Sequence, residues 1–220
     1  MEEINLREEL EKIRDAVKGI ERNADPESLD AYWELCCGDV LLAEENVRER
    51  RGEWENASLA GELLETAGYL AGYADYDDML DRLYSAASRM ADALPDHPRL
   101  KLRLLEFCLS LMERKESLGS EEDIAGEADL YRRNIAAADS RDFDGIVQPG
   151  YIKSDPVEWS EEYENVIDDA NRKIYARLED SPAGMGFCHA YWLEKAHVLS
   201  EDYGIFWRSP AALNPGVMFD

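Results

Sequence analysis

A chain of 220 residues can bury a core, and 45% hydrophobic residues, with five Trp and eleven Tyr, exclude a disordered protein. The 49 acidic residues against 24 Lys and Arg give a net charge of −25, which disfavours direct binding to nucleic acid or anionic lipid. The same charge steers basic partners inward, although acidic surfaces also keep abundant bacterial proteins soluble.

The first residues have no basic, apolar leader, and no run of about 18 uncharged apolar residues occurs, so we expect a cytoplasmic protein with no signal peptide and no membrane span. The adjacent Cys36 and Cys37 fit neither a disulfide framework nor a CxxC zinc site. We therefore predict free thiols, no metal and no cofactor.

The amino-terminal segment predicts a helical hairpin. Its first helix carries a narrow apolar stripe with steps of three and four residues: Leu6, Leu10, Ile13, Val17 and Ile20. Asp25 and Pro26 predict the start of the second helix, as an N-cap and a first helical residue, and Gly52 is a candidate C-cap.

A third helix is expected from about Trp54 to Ala71 and a fourth from Tyr76 to about Leu94. The third helix is rich in small residues, which we expect to permit close helix approach: Ala60, Gly61, Ala67, Gly68 and Ala71.

Several residues of these two helices follow a known pattern. Ala67 and Gly68 provide small residues, the sequence 75–78 (Asp-Tyr-Asp-Asp) an acidic aromatic turn, Ala86 a further small position and Pro95 a closing proline. With these residues the stretch 63–95 resembles a tetratricopeptide repeat, a helix-turn-helix unit of 34 residues. Met79 departs from the pattern, and only this unit carries it.

The resemblance implies stacked helical hairpins with a concave partner-binding face. Its inner positions on the third helix would be Gly61, Leu64, Gly68 and Ala71. These residues lack the Lys and Asn that would clamp a peptide carboxylate, so the resemblance implies no ligand. An irregular helical bundle is the alternative architecture.

The sequence 95–98 (Pro-Asp-His-Pro) predicts the end of the fourth helix and the start of a fifth, the most apolar in the chain. Ser120 is expected to cap a sixth helix. An irregular connection over 139–156 suggests a boundary, so we expect a helical-hairpin domain over 1–140. A helical pair and tail over 141–220 should pack on it as one unit. The helices of this pair are predicted from Pro156 to about Glu179 and from Ser181-Pro182 to Asp202.

Histidine chemistry has little support. His97 lies between two prolines, where we expect a surface or capping role. His189 and His197 are eight residues apart, which is not a metal-ligand spacing. We predict no catalytic residue; the alternative is an enzyme that combines dispersed carboxylates with His189 and His197.

The carboxyl-terminal tail from Ile205 is rich in aromatic residues and punctuated by Pro. Trp207, Arg208 and Phe219 are candidate partner-binding residues, because Trp and Arg are good interface anchors. The alternative is that Trp207 and Phe219 dock on the chain's own helices as a structural lid.

The sequence thus predicts an all-α protein of antiparallel helical hairpins, either a repeat-like stack or an irregular bundle. The predicted function is a non-enzymatic protein-protein interaction module whose acidic surface binds or neutralises a basic partner. A self-associating structural subunit, a homo-oligomer joined through the first helix or the tail, is a further alternative.

Overall fold

The computed structural model describes residues 5–73, 77–115, 118–179 and 186–219. All regular structure in those ranges is helical and no strand occurs there, which confirms the all-α class. The α-helices of the described residues are α1 (Leu6–Val17), α2 (Pro26–Glu49), α3 (Asn56–Gly72), α4 (Asp77–Asp92), α5 (Pro98–Met112), α6 (Glu121–Asp139), α7 (Glu161–Glu164), α8 (Ile167–Arg177), α9 (Phe187–Tyr203) and α10 (Pro210–Leu213).

The contacts divide the chain into two compact units. The first unit comprises residues 1–95 and 99–128, and the second comprises residues 96–98 and 129–220. The sequence-based domain boundary after residue 140 stays a prediction. Within the described ranges, no helix is both long enough and apolar enough to cross a membrane.

The caps predicted for two helices are confirmed. Asp25 Oδ1 accepts a hydrogen bond from the Glu27 N–H at 3.1 Å, with Pro26 at the first position of α2. Ser120 Oγ likewise accepts from the Asp123 N–H at 3.3 Å before α6. Each bond satisfies one of the backbone donors that a helix start leaves free.

Gly52 is not the C-cap of α2, so that prediction is wrong. Arg50 ends the helix, with a left-handed φ of 50°. Gly52 has a φ of 84° and precedes the 3-10 turn Glu53–Glu55. A Cβ at Gly52 would collide with Arg7 Nη2 and lie 2.8 Å from Asn46 Oδ1, so glycine is required here by its backbone and by close packing.

The single helix predicted over Pro156–Glu179 is also wrong. The chain forms a 3-10 turn at Pro156–Trp159 and then the separate helices α7 and α8. Ser160 interrupts the path because its backbone is extended, with a ψ of 149°, and its side chain caps α7 by accepting from the Tyr163 N–H. The predicted starts of the fourth helix at Tyr76 and of the last long helix at Ser181 lie outside the described residues.

In the first unit, α2 packs against α1, α3 and α4, and α3 also packs against α4. The large side chains that are almost fully buried in this unit are aliphatic or Met: Leu10, Leu63, Leu70, Leu83, Met90, Leu94, Leu104 and Leu111. Their burial is the main stabilising contribution to the unit.

The small residues of α3 have two different surroundings. Ala60 and Ala67 are buried, at 0% and 1% exposure, and lie in the core. Added Cβ atoms at Gly61 and Gly68 would meet nothing within 4 Å. The prediction that these two glycines permit close helix approach is therefore wrong; they lie on the open side of α3.

This difference predicts opposite effects for two Gly→Ala substitutions. Gly68→Ala should raise the free energy of unfolding by about 0.5–1 kcal/mol, because it removes a helix-interior glycine at a site with room for a methyl group. Gly38→Ala should lower it by about 1–3 kcal/mol, because its Cβ would lie 2.8 Å from Leu10 Cδ1 in the core. Urea unfolding of both variants measures the two signs; equal signs would contradict the assigned surroundings.

The second unit has its own core, formed by α7, α8, α9 and the segment after α9. Its members are Tyr163, Ile167, Ala170, Ile174, Val198, Leu199, Ile205 and Trp207.

Side-chain amides hold the irregular connection over 139–156, which precedes α7. Asn134 bonds both the N–H and the C=O of Val147, at 2.9 and 2.7 Å, and Asn214 does the same for Lys153, at 3.0 and 2.9 Å. The connection is therefore ordered despite having little regular structure.

Candidate binding groove

An open groove runs along the exposed side of α3 in the first unit. Its larger cavity, about 600 Å³, lies between α3 and α5. The residues that line it are Gly61, Leu64, Glu65, Arg103, Glu106 and Phe107. Leu64 and Phe107 are partly buried against the core and give the cavity an apolar floor.

A second cavity, of about 320 Å³, lies between α3 and the helices α1 and α2. Its lining includes Arg14, Lys18, Arg22, Glu62 and Glu65. Glu65 lines both cavities, so the two are neighbours along one surface, which we call the α3 groove.

Ion pairs connect α1 and the segment after it to α3 at this groove. Arg14 Nε and Nη2 donate to Glu62 Oε2 at 2.8 and 2.5 Å. Arg22 Nη2 lies 2.9 Å from Glu65 Oε1, and its guanidinium lies over the rings of Tyr32 and Tyr69, at 5.1 and 5.6 Å. The side chain of Glu65 is still 70% exposed, so its carboxylate is available to a partner.

Next to this cavity lies a buried carboxyl group whose negative charge would have few stabilising partners. Asp39 is 0% exposed, and neither of its oxygens has a hydrogen-bond partner. Arg14 Nη2 is 3.6 Å from Asp39 Oδ1, too far for a hydrogen bond. Burial first, and the neighbouring Glu62 carboxylate second, raise the pKa of Asp39 to about 9. Asp39 is therefore a neutral carboxylic acid at pH 7.

Of the inner positions implied by the repeat resemblance, three lie on the open side of α3. Gly61 and Leu64 line the groove, and Gly68 has open space beside it. Ala71 is 9% exposed, and its carbonyl accepts from Arg114 Nη1 at 2.7 Å. The groove can receive side chains and pair charges, and none of its described residues forms a nucleophile and base pair.

The three predicted partner-binding residues have different surroundings in the second unit. Trp207 is 4% exposed, and its Nε1 donates to Glu158 at 2.6 Å. This burial against the chain itself is what the alternative of a structural lid expects of Trp207. Arg208 is about half exposed and donates to the buried Asp155 from Nε, at 2.9 Å. Phe219 packs edge-on against Trp192, with ring centroids 5.0 Å apart. Their partner-binding role stays a prediction.

Sequence reasoning missed a polar cluster in the second unit. Lys195 is 5% exposed and lies 3.3 Å from Asp96 Oδ1, which also accepts from the Tyr163 hydroxyl at 2.7 Å. The Lys195 ammonium lies over the rings of Tyr163, Tyr191 and Trp207, at 5.4, 5.7 and 5.0 Å. Burial lowers the pKa of Lys195, but Asp96 and the other neighbours outweigh it and raise it overall. Lys195 is therefore a fixed charge and a poor nucleophile.

The histidines provide no assembled catalytic site among the described residues. His97 is 6% exposed, so the surface role expected for it is wrong; its Nε2 lies 3.1 Å from Asp168 Oδ1. Asp168 raises the pKa of His97 although burial opposes this. His189 is exposed beside Trp192, and His197 Nε2 lies 3.2 Å from Glu201.

No protein-family model matches the chain, and no curated protein or solved structure matches it.

Proposed function

We propose that this chain is a non-enzymatic protein-binding module of the cytoplasm, and that its α3 groove receives a basic segment of another protein. The observation that carries the proposal is the groove itself. It combines an apolar floor of Leu64 and Phe107, an exposed carboxylate at Glu65 and open space beside Gly61.

The net charge supports a basic partner. A chain of charge −25 attracts cationic segments over a distance of about a Debye length, ~8–10 Å at physiological salt. Within the groove, Glu65 offers a carboxylate at the junction of the two cavities. A cationic side chain placed there would pair with Glu65, whose side chain is 70% exposed although Oε1 lies 2.9 Å from Arg22 Nη2.

The groove also supports a repeat-like arrangement of the first unit. Its lining comes mainly from alternate helices, α1, α3 and α5, as a stack of antiparallel hairpins would present them. We propose the hairpins α1–α2 and α3–α4 as the repeating units.

The test uses a defined probe, a fluorescent peptide that alternates Leu with Lys and Arg, and a second peptide in which Glu replaces the basic residues. We expect the basic peptide to bind and its affinity to fall about tenfold or more between about 50 and 300 mM NaCl. Fluorescence anisotropy measures both affinities. Binding that does not change with salt would contradict the proposal.

A substitution in the groove separates local binding from diffuse attraction. Gly61→Trp fills the larger cavity beside α3 without changing charge and should weaken binding of the basic peptide about tenfold. Gly126→Trp is the matched control, because a Cβ at Gly126 in α6 also meets nothing within 4 Å. Equal affinity of both variants for the peptide would place binding outside the α3 groove.

A further inference from the structure

A further cavity, of different character, lies between α2 and α4 in the first unit. Its volume is about 340 Å³. The lining residues that matter here are Trp33, Cys37, Val40, Leu41, Arg82 and Ala86. We call this surface the α2–α4 cleft; it shares no lining residue with the α3 groove.

The α2–α4 cleft is apolar and accessible. Leu41 is 44% exposed, whereas the neighbouring Val40 is buried. Trp33 and Cys37 are half-buried at the positions two turns and one turn before Leu41. A large aliphatic residue, a tryptophan and a thiol that share an open cavity form a surface suited to an apolar side chain.

Among the described residues, most charges around the cleft form ion pairs, and Arg82 does not. Asp81 forms an ion pair with Lys115, whose Nζ lies 2.9 Å from Asp81 Oδ2. Arg89 makes a two-pronged contact with Glu44, at 2.7 and 2.5 Å. Arg82 makes no ion pair with any described residue, and its guanidinium lies over the Trp33 ring at 5.9 Å. The Arg82 guanidinium is thus placed beside the apolar cavity, where it can pair with a carboxylate of a bound segment.

We propose that the α2–α4 cleft docks a segment of another protein that presents one large apolar side chain and, about one helical turn away, a carboxylate. The apolar side chain would enter between Trp33 and Leu41, and the carboxylate would pair with Arg82. A volume of about 340 Å³ has room for one or two side chains and is small for a cofactor. The segment proposed for the α3 groove is basic, so the two surfaces would take different segments.

Helical Ala- and Gln-based peptides provide the probe, with Leu at one position and Glu four residues later. Matched peptides replace Glu by Lys, or Leu by Ala. The readout is the rate of Cys37 alkylation with and without peptide, in a chain that carries Cys188→Ser; Cys36 and Cys108 are 0% exposed. We expect the Leu/Glu peptide to slow alkylation several-fold, and the Lys and Ala peptides to protect much less.

Charge reversal tests the recognition itself. Arg82→Glu should weaken the Glu peptide about fivefold and make the Lys peptide the better ligand. Leu41→Asp should remove protection by the Glu peptide, because it places a charge in the apolar cavity. Arg48→Glu and Val47→Asp are the matched controls at exposed α2 positions outside the cleft lining, and neither should change the peptide preference.

Alkylation rates with and without peptide are compared as ratios within each variant, since burial raises the pKa of the Cys37 thiol while Arg89 and Arg82 lower it. Equal protection by the Glu and Lys peptides, or an unchanged preference in Arg82→Glu, would overturn the proposal. Concentration-dependent association of the chain alone that Leu41→Asp abolishes would overturn it too, because the occupant would then be a second copy. Circular dichroism of each variant shows whether it is folded.

Discussion

Asp39→Asn is expected to stabilise the first unit at pH 7, by as much as about 4 kcal/mol. The physical reason is that wild-type Asp39 must take up a proton to be buried. Its pKa rises from the ordinary 3.8 to about 9. Each pKa unit corresponds to ~1.36 kcal/mol, and about three units lie between the ordinary pKa and pH 7. Asparagine has the same shape and bears no such cost.

The sign of the pH dependence follows from the same shift. Between about pH 4 and pH 9 the folded state holds a proton that the unfolded state lacks, so the wild-type free energy of unfolding falls as pH rises through this range. Arg14 does little to prevent this, because its guanidinium already donates to Glu62 and Glu11 at 2.5–2.8 Å. A protonated Asp39 can also donate to Glu62, which favours the neutral form further.

Urea unfolding at about pH 5, 7 and 8.5, followed by circular dichroism, measures this dependence. Hydrogen exchange of the α2 amides assigns the transition to the first unit. The Asn variant should lose most of the decline with pH, while the exposed control Asp30→Asn should leave it unchanged. A variant that is less stable than wild type at every pH would mean that Asp39 is buried as an ion pair with Arg14.

The sequence was sufficient for features that depend on neighbouring residues. The Asp25 and Ser120 caps and the apolar stripe of α1 are local patterns, and the structure contains all three. The close helix approach predicted at Gly61 and Gly68 was wrong because periodicity identifies only a helix face. The neighbouring helices decide which residues of that face are covered. A small residue on a helix is equally compatible with close packing and with an open side.

The candidate surfaces could not be assembled from the sequence because their parts are far apart in the chain. The α3 groove combines residues from α1, α3 and α5, and the Lys195 cluster joins residues separated by 99 positions. A signal for the buried charges was nevertheless present. Asp39 lies among Leu35, Cys36, Val40 and Ala43, and Lys195 lies among Tyr191, Val198 and Leu199, so each interrupts an apolar helix face. Such a residue is either paired or neutralised when it is buried.

Lys195→Met is expected to destabilise the second unit by about 3 kcal/mol. Methionine replaces the aliphatic stem but removes the cation that Asp96 and three aromatic rings surround. Breaking a buried ion pair from one side costs ~3–5 kcal/mol, because the remaining charge loses its partner. The Asp96 side chain is 21% exposed, which places the expected loss at the lower end of that range.

The double variant Lys195→Met with Asp96→Asn distinguishes lost pairing from lost packing. If the unpaired carboxylate causes most of the loss, removing its charge should recover about 1 kcal/mol or more of the stability that Lys195→Met loses. Urea unfolding followed by tryptophan fluorescence measures the loss, and hydrogen exchange of the α9 amides assigns it to this core. Lys153→Met is the control at an exposed position of the same unit. Losses that simply add in the double variant would contradict the pairing and would assign the effect of Lys195 to its packing against the surrounding rings.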